Sequence, residues 1–194
     1  MAQFDMFCFQ CEQTAGGKGC TKVGVCGKDS RVAVLQDLLI YQLKGIAYLG
    51  DRILADGGKV DENVVRFMLD ALFSTLTNVN FDEKRFVKYI LEADNIKENL
   101  KRLFSNLESA PLAVHYRPPS DVEKMIADGK KVGILADDVD EDVRSLRELL
   151  IYGLKGMAAY AHHAYRLGYK DDDVNAFFFT ALAKTLDRNL STGE

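Results

Sequence analysis

The segment LQDLLIYQLKGIA at residues 35–47 decides the fold of this chain, because it returns at residues 146–158 as LRELLIYGLKGMA. Nine of the 13 aligned positions are identical, at an offset of 111 residues. In both copies the apolar residues recur every three or four positions, which is the pattern of an amphipathic helix. The repeat therefore predicts two related helices in the two halves of the chain.

The segments that follow the two copies also match each other, now at an offset of 110 residues. The matched positions include Asp61/Asp171, Val64/Val174, Phe67/Phe177, Leu72/Leu182 and Leu76/Leu186. Apolar periodicity predicts helices over about 30–55, from 61 to about 78, from 82 with a break at Asp94-Asn95, over 143–167 and over 173–190. We expect a mainly all-α protein made of two duplicated helical bundles.

Four segments follow from these patterns. They are a cysteine-rich segment at 1–29, a first helical bundle at 30–108, a connector at 109–142 and a second bundle at 143–194. Prolines and an acidic run over 137–142 mark the connector. Within it we expect a short helix from the capping box of Ser120 and Glu123 to Ala127, and a strand or extended link at 131–135.

The second unit is one helix shorter than the first. A third helix begins at Asp82 in the first unit, whereas the sequence stops at Glu194 just after the matching second helix of the other unit. A bundle without that helix leaves an apolar stripe uncovered. We expect the second bundle to be truncated, or to be completed by a partner.

Composition excludes several classes of protein. The chain has 194 residues, of which 47% are hydrophobic and 28% charged, with a net charge of −4. Such a chain buries a sizeable core, and its charge argues against a general binder of nucleic acid. No apolar run long enough to cross a bilayer and no signal peptide at Met1–Phe7 are evident, so we expect a soluble cytoplasmic protein.

All four cysteines fall within the first 26 residues, with the spacing Cys8-x2-Cys11-x8-Cys20-x5-Cys26. Disulfides are improbable in a reducing cytosol, so the cluster indicates either a tetrahedral zinc site or an iron–sulfur cluster. Zinc ribbons usually carry two Cys-x2-Cys knuckles, and only one is present here, which favours iron and sulfur. Nearby glycines supply backbone N–H donors, and Phe7, Phe9 and Val25 are expected to shield the site.

Two stretches carry a resemblance to a known family. MFCFQCEQTAGGKGCTKVGVCGK at 6–28 and SLRELLIYGLKGMAAYAHHA at 145–164 resemble the N-terminal region of the hybrid cluster proteins, also called prismane proteins or hydroxylamine reductases. The resemblance covers the whole chain. It implies that Cys8, Cys11, Cys20 and Cys26 each ligate a [4Fe–4S] cluster, in the family's class with this short cysteine spacing.

The resemblance also implies a function for a longer parent protein. Family members reduce hydroxylamine to ammonia and water at a hybrid 4Fe–2S–2O cluster, whose ligands come from later domains. These 194 residues contain no cysteine after Cys26, so we assign no catalytic residue and expect no activity from this chain alone. Its expected partners are an electron-donor redox protein and the C-terminal domains of the parent.

Two alternatives stay open. The first is a zinc-stapled helical interaction module without redox activity. The second is a nickel carbon monoxide dehydrogenase, a related family whose cysteines are more numerous and differently spaced.

Other chemistry-bearing residues have simpler interpretations. Adjacent residues of a helix point about 100° apart, so His162 and His163 cannot chelate one ion together. Lys44 and Lys155 recur in the two copies, which favours packing or burial of their stems over catalysis. The acidic run over 137–142 lacks the spacing of a calcium loop and suits a helix N-terminus.

Overall fold

The computed structural model describes residues 4–136, 139–191 and 193, and this part of the chain is all-α. Seven α-helices lie in it, together with single 3-10 turns at Ala15–Gly17 and Ile134–Ala136. The helices are α1 (Ser30–Ala55), α2 (Glu62–Ser74), α3 (Glu83–Lys101), α4 (Leu112–His115), α5 (Val122–Val132), α6 (Glu141–Arg166) and α7 (Asp172–Lys184). The expected all-α class is confirmed.

An aspartate begins each of the six longer helices. Its carboxylate accepts a hydrogen bond from a backbone N–H of the first turn, where no helical partner exists. The capping residues are Asp29, Asp61, Asp82, Asp121, Asp140 and Asp171. The helix starts were therefore readable from the sequence, although Asp121 caps α5 where Ser120 was expected.

The sequence repeat reappears in the bounds of the helices. Both α1 and α6 have 26 residues, and their first residues are 111 positions apart. Both α2 and α7 have 13 residues, and their first residues are 110 positions apart. The offsets of the sequence repeat are thus the offsets of the helices.

The repeated helices pack across the two units. Helix α7 lies along α1 and helix α6 lies along α2, whereas contacts within the pairs α1/α2 and α6/α7 are few. Helices α3, α5 and α4 also pack against α1. Helix α1 is therefore the centre of the fold, and the proposed division into 30–108 and 143–194 stays a prediction.

Two local expectations were wrong. Helix α3 continues through Asp94-Asn95, because the Asp94 carboxylate pairs with Arg117 3.0 Å away and lies near Lys97. Residues 131–135 form the end of α5 and a 3-10 turn, with no strand. Asp137 and Asp138 of the acidic run lie outside the described residues; Asp140 caps α6.

Equivalent positions of α1 and α6 differ sharply in burial. Leu35, Leu38 and Leu49 of α1 are fully buried, whereas their equivalents Leu146, Leu149 and Tyr160 are 47%, 65% and 83% exposed. The counterpart of α3, which covers α1, is missing on α6 in the described part of the chain. This exposed row of α6 is the expected uncovered apolar stripe, and we call it the α6 stripe.

By length and composition alone, helix α1 is long and apolar enough to cross a membrane, contrary to the expectation that no such stretch exists. Within its most apolar 18-residue window, 72% of the residues are buried inside the protein. Burial of this degree is what the central helix of a soluble protein requires. The apolar character of α1 is explained by its central position.

Candidate cysteine cluster site

The cysteine segment folds back on itself ahead of α1. Cys8 and Cys20 face each other in an antiparallel backbone bridge, with N–H···O distances of 3.1 and 2.8 Å. The Thr14 hydroxyl donates to the Cys8 carbonyl at 3.0 Å and lies 3.8 Å from the Cys20 sulfur. The first and third cysteines of the motif are thereby held side by side, although they are 12 positions apart in sequence.

Polar groups surround the buried thiol of Cys20. Burial by itself raises its pKa, but hydrogen bonds from the backbone at Ala15 and Val25 and from Thr14, with the charge of Lys28, act against burial and lower the pKa of Cys20 overall. A lower pKa favours the thiolate, which is the form that binds metal. The loop is thus built to stabilise negative charge at Cys20.

Lys28 connects the cysteine segment to the helices. It is almost fully buried, and its ammonium donates to the Cys8 sulfur at 3.5 Å and to Gln36 Oε1 of α1 at 2.9 Å. An ammonium at this place stabilises a thiolate or an anionic cluster. The spacing of the cysteines gave no signal for this residue, which lies two positions after the last of them.

The backbone comes close to the fourth cysteine at Gly24. A Cβ at this position would lie 3.0 Å from the Cys26 sulfur, so glycine leaves the thiol room. The rings of Phe7 and Phe9 pack together with centroids 5.3 Å apart, and Phe9 also meets the edge of Tyr152 of α6. Val25, in contrast, is 60% exposed, so it does not shield the cysteines as expected.

The four cysteine side chains are chemically suited, as thiolates, to ligate an iron–sulfur cluster. All four cysteines are free thiols, and Cys20 is buried while the other three are partly exposed. In the described residues, no group of three or more cysteine, histidine, aspartate or glutamate side chains is arranged to hold a single metal ion. A tetrahedral zinc ion and a cubane cluster both need their cysteine ligands brought together, so the structure places Cys8 beside Cys20 but does not bring all four thiols into one ligand group.

A cleft of about 610 Å³ lies beside the cysteine segment. The same faces of the two repeated helices line it, and among the equivalent pairs are Asp37/Glu148, Tyr41/Tyr152 and Lys44/Lys155. Cys8 and Lys28 also line the cleft. Sequence reasoning missed Asp37 and Glu148, although their preserved acidic character within a repeated apolar segment was a usable signal.

The charges in this cleft perturb one another. Loss of hydration and the charge of Glu148 raise the pKa of Asp37, against the opposing charges of Lys155, Lys28 and Lys44. Loss of hydration also lowers the pKa of Lys155, whose ammonium lies 3.5 Å from the Thr75 carbonyl. Burial of the Lys155 stem agrees with the interpretation made from the repeat.

The two adjacent histidines lie away from the cysteines. His162 contacts the Asp70 carboxylate through Nδ1 at 2.5 Å, and both imidazole rings pack against Phe73. This arrangement joins α6 to α2, which is an interface role. No metal-binding group that includes these histidines occurs in the part of the chain that is described.

Comparisons with known proteins agree on one family. The sequence profile of the Prismane/CO dehydrogenase family matches residues 6–192. Hydroxylamine reductases of Thermoanaerobacter pseudethanolicus and Caldanaerobacter subterraneus subsp. tengcongensis are 48% and 46% identical to this chain over 97% of its length. That of Clostridium novyi is 48% identical over 93%. The chain spans 35%, 35% and 33% of these three relatives.

Proposed function

Because this chain belongs to the Prismane/CO dehydrogenase family, we propose that it is the N-terminal electron-transfer part of a hydroxylamine reductase, with a [4Fe–4S] cluster held by Cys8, Cys11, Cys20 and Cys26. The observation that carries the proposal is the cysteine segment itself. It contains four free thiols, places Cys8 opposite Cys20 in a backbone bridge and sets the buried Lys28 ammonium 3.5 Å from the Cys8 sulfur. The relatives named above are hydroxylamine reductases, which favours that activity over carbon monoxide oxidation.

A cluster of this type supplies one electron at a time, at a potential that its surroundings set. The residues of this chain would set that potential in three ways. Lys28 places its positive charge against the Cys8 sulfur. The Thr14 hydroxyl and backbone polar groups face the Cys20 thiol, and the packed rings of Phe7 and Phe9 flank Cys8 along the chain. Charge and hydrogen bonds of this kind favour the reduced state, because they stabilise added negative charge.

The parent reaction consumes two electrons and two protons per hydroxylamine, yielding ammonia and water. We assign to this chain only the passage of electrons, and place the reduction of hydroxylamine in the remaining part of a parent with the length of the relatives. The hybrid 4Fe–2S–2O cluster belongs to that part in this proposal.

An electron donor would approach the exposed side of the cysteine segment. Val23 and Val25 are 58% and 60% exposed there, and Lys18 and Lys22 are exposed beside them. Apolar residues flanked by lysines suit the docking of a small acidic redox protein. We place the reaction in the cytoplasm.

The α6 stripe offers a contact surface for the rest of the parent. Its residues are equivalent to fully buried residues of α1, against which α3 packs, so a further helix packed on α6 would bury it. We propose that the C-terminal domains of the parent, which the relatives have the length to include, make this contact.

Reductive titration tests the proposed role. After anaerobic reconstitution with iron and sulfide, the visible absorbance should bleach reversibly on uptake of about one electron per chain. Cys20→Ser should abolish this absorbance, while the neighbouring Thr21→Ser should retain it as a matched control. A zinc-stapled module would show no reversible electron uptake in any of the three proteins, and that outcome would reject the proposal.

A further inference from the structure

The cleft beside the cysteine segment combines two acidic residues from equivalent positions of the repeat. Asp37 lies on α1 and Glu148 on α6, and both line the cleft that Cys8 reaches. On each helix a tyrosine follows four residues later and a lysine seven residues later, so the two helices present the same acid, tyrosine and lysine to one space. The cleft is thus lined by both copies of one motif.

Two carboxyl groups in one poorly hydrated space do not both ionise readily. Each carboxylate disfavours the charge of the other, and loss of hydration disfavours both charges. Here loss of hydration and, after it, the charge of Glu148 raise the pKa of Asp37, against the opposing charges of Lys155, Lys28 and Lys44. Groups whose charges interact in this way titrate together, and the proton occupancy of the pair responds to any further negative charge nearby.

We propose that Asp37 and Glu148 form a redox-linked proton site, at which the chain takes up a proton from water when the cysteine segment receives an electron. This inference rests on the proposed function, because it needs a cluster at the four cysteines. The electron comes from the donor protein, and the proton comes from solvent and forms an O–H bond on one carboxylate. The net charge of the chain therefore does not change on reduction.

The physical link is electrostatic. Cys8 lines the same cleft as the two carboxyl groups, and Lys28 contacts the Cys8 sulfur while its charge also acts on Asp37. Negative charge added at the cysteines opposes ionisation of the carboxyl pair, since a weakly hydrated space screens charge less than water does. Reduction therefore increases the proton affinity of the pair, and protonation in turn favours reduction.

Other titratable groups face the same cleft, and the experiment must distinguish their titration from that of Asp37 and Glu148. Tyr41 and Lys44 face it from α1, and Arg144, Arg147, Tyr152 and Lys155 from α6. Lys28 precedes α1, Lys131 lies near the end of α5 and Arg188 follows α7. Among these groups Lys155 has a lowered pKa, so it is the alternative proton carrier that the experiment must exclude.

The test is the midpoint potential of the reconstituted chain as a function of pH, from about pH 5 to about pH 9. Uptake of one proton per electron gives a fall in potential that approaches about 59 mV per pH unit. We expect the wild type to approach this slope between the pKa of the pair in the oxidised chain and its higher pKa in the reduced chain, and to level off below that interval. Asp37→Asn and Glu148→Gln should show a much flatter dependence. Asp94→Asn removes a buried carboxylate outside the cleft and should keep the wild-type slope.

Infrared difference spectra between the reduced and oxidised states identify the carrier directly. The wild type should gain a protonated-carboxyl C=O band on reduction, and Asp37→Asn and Glu148→Gln should lose or shift it. Iron content and circular dichroism establish that each variant is folded and loaded.

Three results would overturn the inference. One is a wild-type potential that does not vary with pH. Another is a pH dependence of the potential that persists in the double variant carrying Asp37→Asn and Glu148→Gln. The last is a pH dependence that Lys155→Met abolishes, together with a wild-type infrared spectrum that lacks the protonated-carboxyl band. Failure of the chain to bind any iron–sulfur cluster would instead overturn the proposed function, and the visible spectrum reveals that before any potential is measured.

Discussion

Replacing Gly45 by alanine should destabilise the protein, although alanine is the better helix former. A Cβ at Gly45 would lie 2.4 Å from the carbonyl oxygen of Ala113 and 2.9 Å from its carbon. These are backbone atoms of α4, so the clash is relieved only if α4 moves away from α1. The Ala113 carbonyl also accepts a hydrogen bond from the buried Lys97 ammonium at 3.3 Å, which that movement would weaken.

The magnitude follows from three contributions. Forcing an extra methyl into a filled contact costs about 1–3 kcal/mol, and the rigid backbone neighbour places this site at the upper end. Weakening one buried hydrogen bond adds about 1 kcal/mol. Replacing glycine by alanine within a helix stabilises the folded protein by about 1 kcal/mol through helix propensity. The expected net loss for Gly45→Ala is therefore about 2–3 kcal/mol of unfolding free energy.

The repeat supplies the matched control. Gly156 is the equivalent glycine of α6, and nothing lies within 4 Å of a Cβ built there. Gly156→Ala should therefore stabilise the protein by about 0.5–1 kcal/mol through helix propensity alone. Urea unfolding of the metal-free chain, followed by circular dichroism, measures both. If the two variants change stability in the same direction by similar amounts, the close approach of α4 to α1 is wrong.

Two further predictions follow from the same structure. Leu38 and Leu149 are equivalent leucines of the repeat with 0% and 65% exposure, so Leu38→Ala should cost about 2–5 kcal/mol and Leu149→Ala less than about 0.5 kcal/mol in urea unfolding. Similar losses would mean that the α6 stripe is covered. The fully buried Lys97 has its pKa lowered from 10.5 to about 8 by loss of hydration. The unfolded chain then binds more protons between these pH values, so wild-type stability rises as the pH is raised from 8 to 10.5. Lys97→Met should show a smaller rise, the remainder coming from Lys155; an unchanged rise would contradict the desolvation of Lys97.

Much of the helical framework was predictable because its signals are local. An aspartate cap, an apolar face and the repeat offsets gave the starts of α1, α2, α3, α6 and α7 to within a few residues. Local signals failed at Asp94, where a turn-prone pair lies within a helix because Arg117, 23 positions away, pairs with the carboxylate. A tertiary ion pair of this kind leaves no mark on the local pattern.

The packing arrangement of the helices was harder to predict from the sequence than their first and last residues. The repeat indicated two related units, but equal apolar faces do not say whether α7 packs on α6 or on α1. The sequence likewise located the four cysteines and not the groups around them. Lys28 reaches Cys8 only because the segment folds back, and Asp37 meets Glu148 in one cleft only because α1 and α6 present the same face to it.

The different surroundings of Gly45 and Gly156 show what a sequence repeat can and cannot predict. The two glycines are equivalent in sequence, yet α4 packs against only one of them. Pattern alone suggests the same use of both. The difference arises from the residues that follow each unit, because α3, α4 and α5 cover α1.

The most direct test of the central claim is the content of iron, acid-labile sulfide and zinc in the anaerobically purified chain. If Cys8, Cys11, Cys20 and Cys26 hold a [4Fe–4S] cluster, the wild type should contain about four irons and four sulfides per chain, and Cys20→Ser far less of both. Stoichiometric zinc without sulfide after anaerobic reconstitution, or an iron content that Cys20→Ser leaves unchanged, would contradict this ligand set.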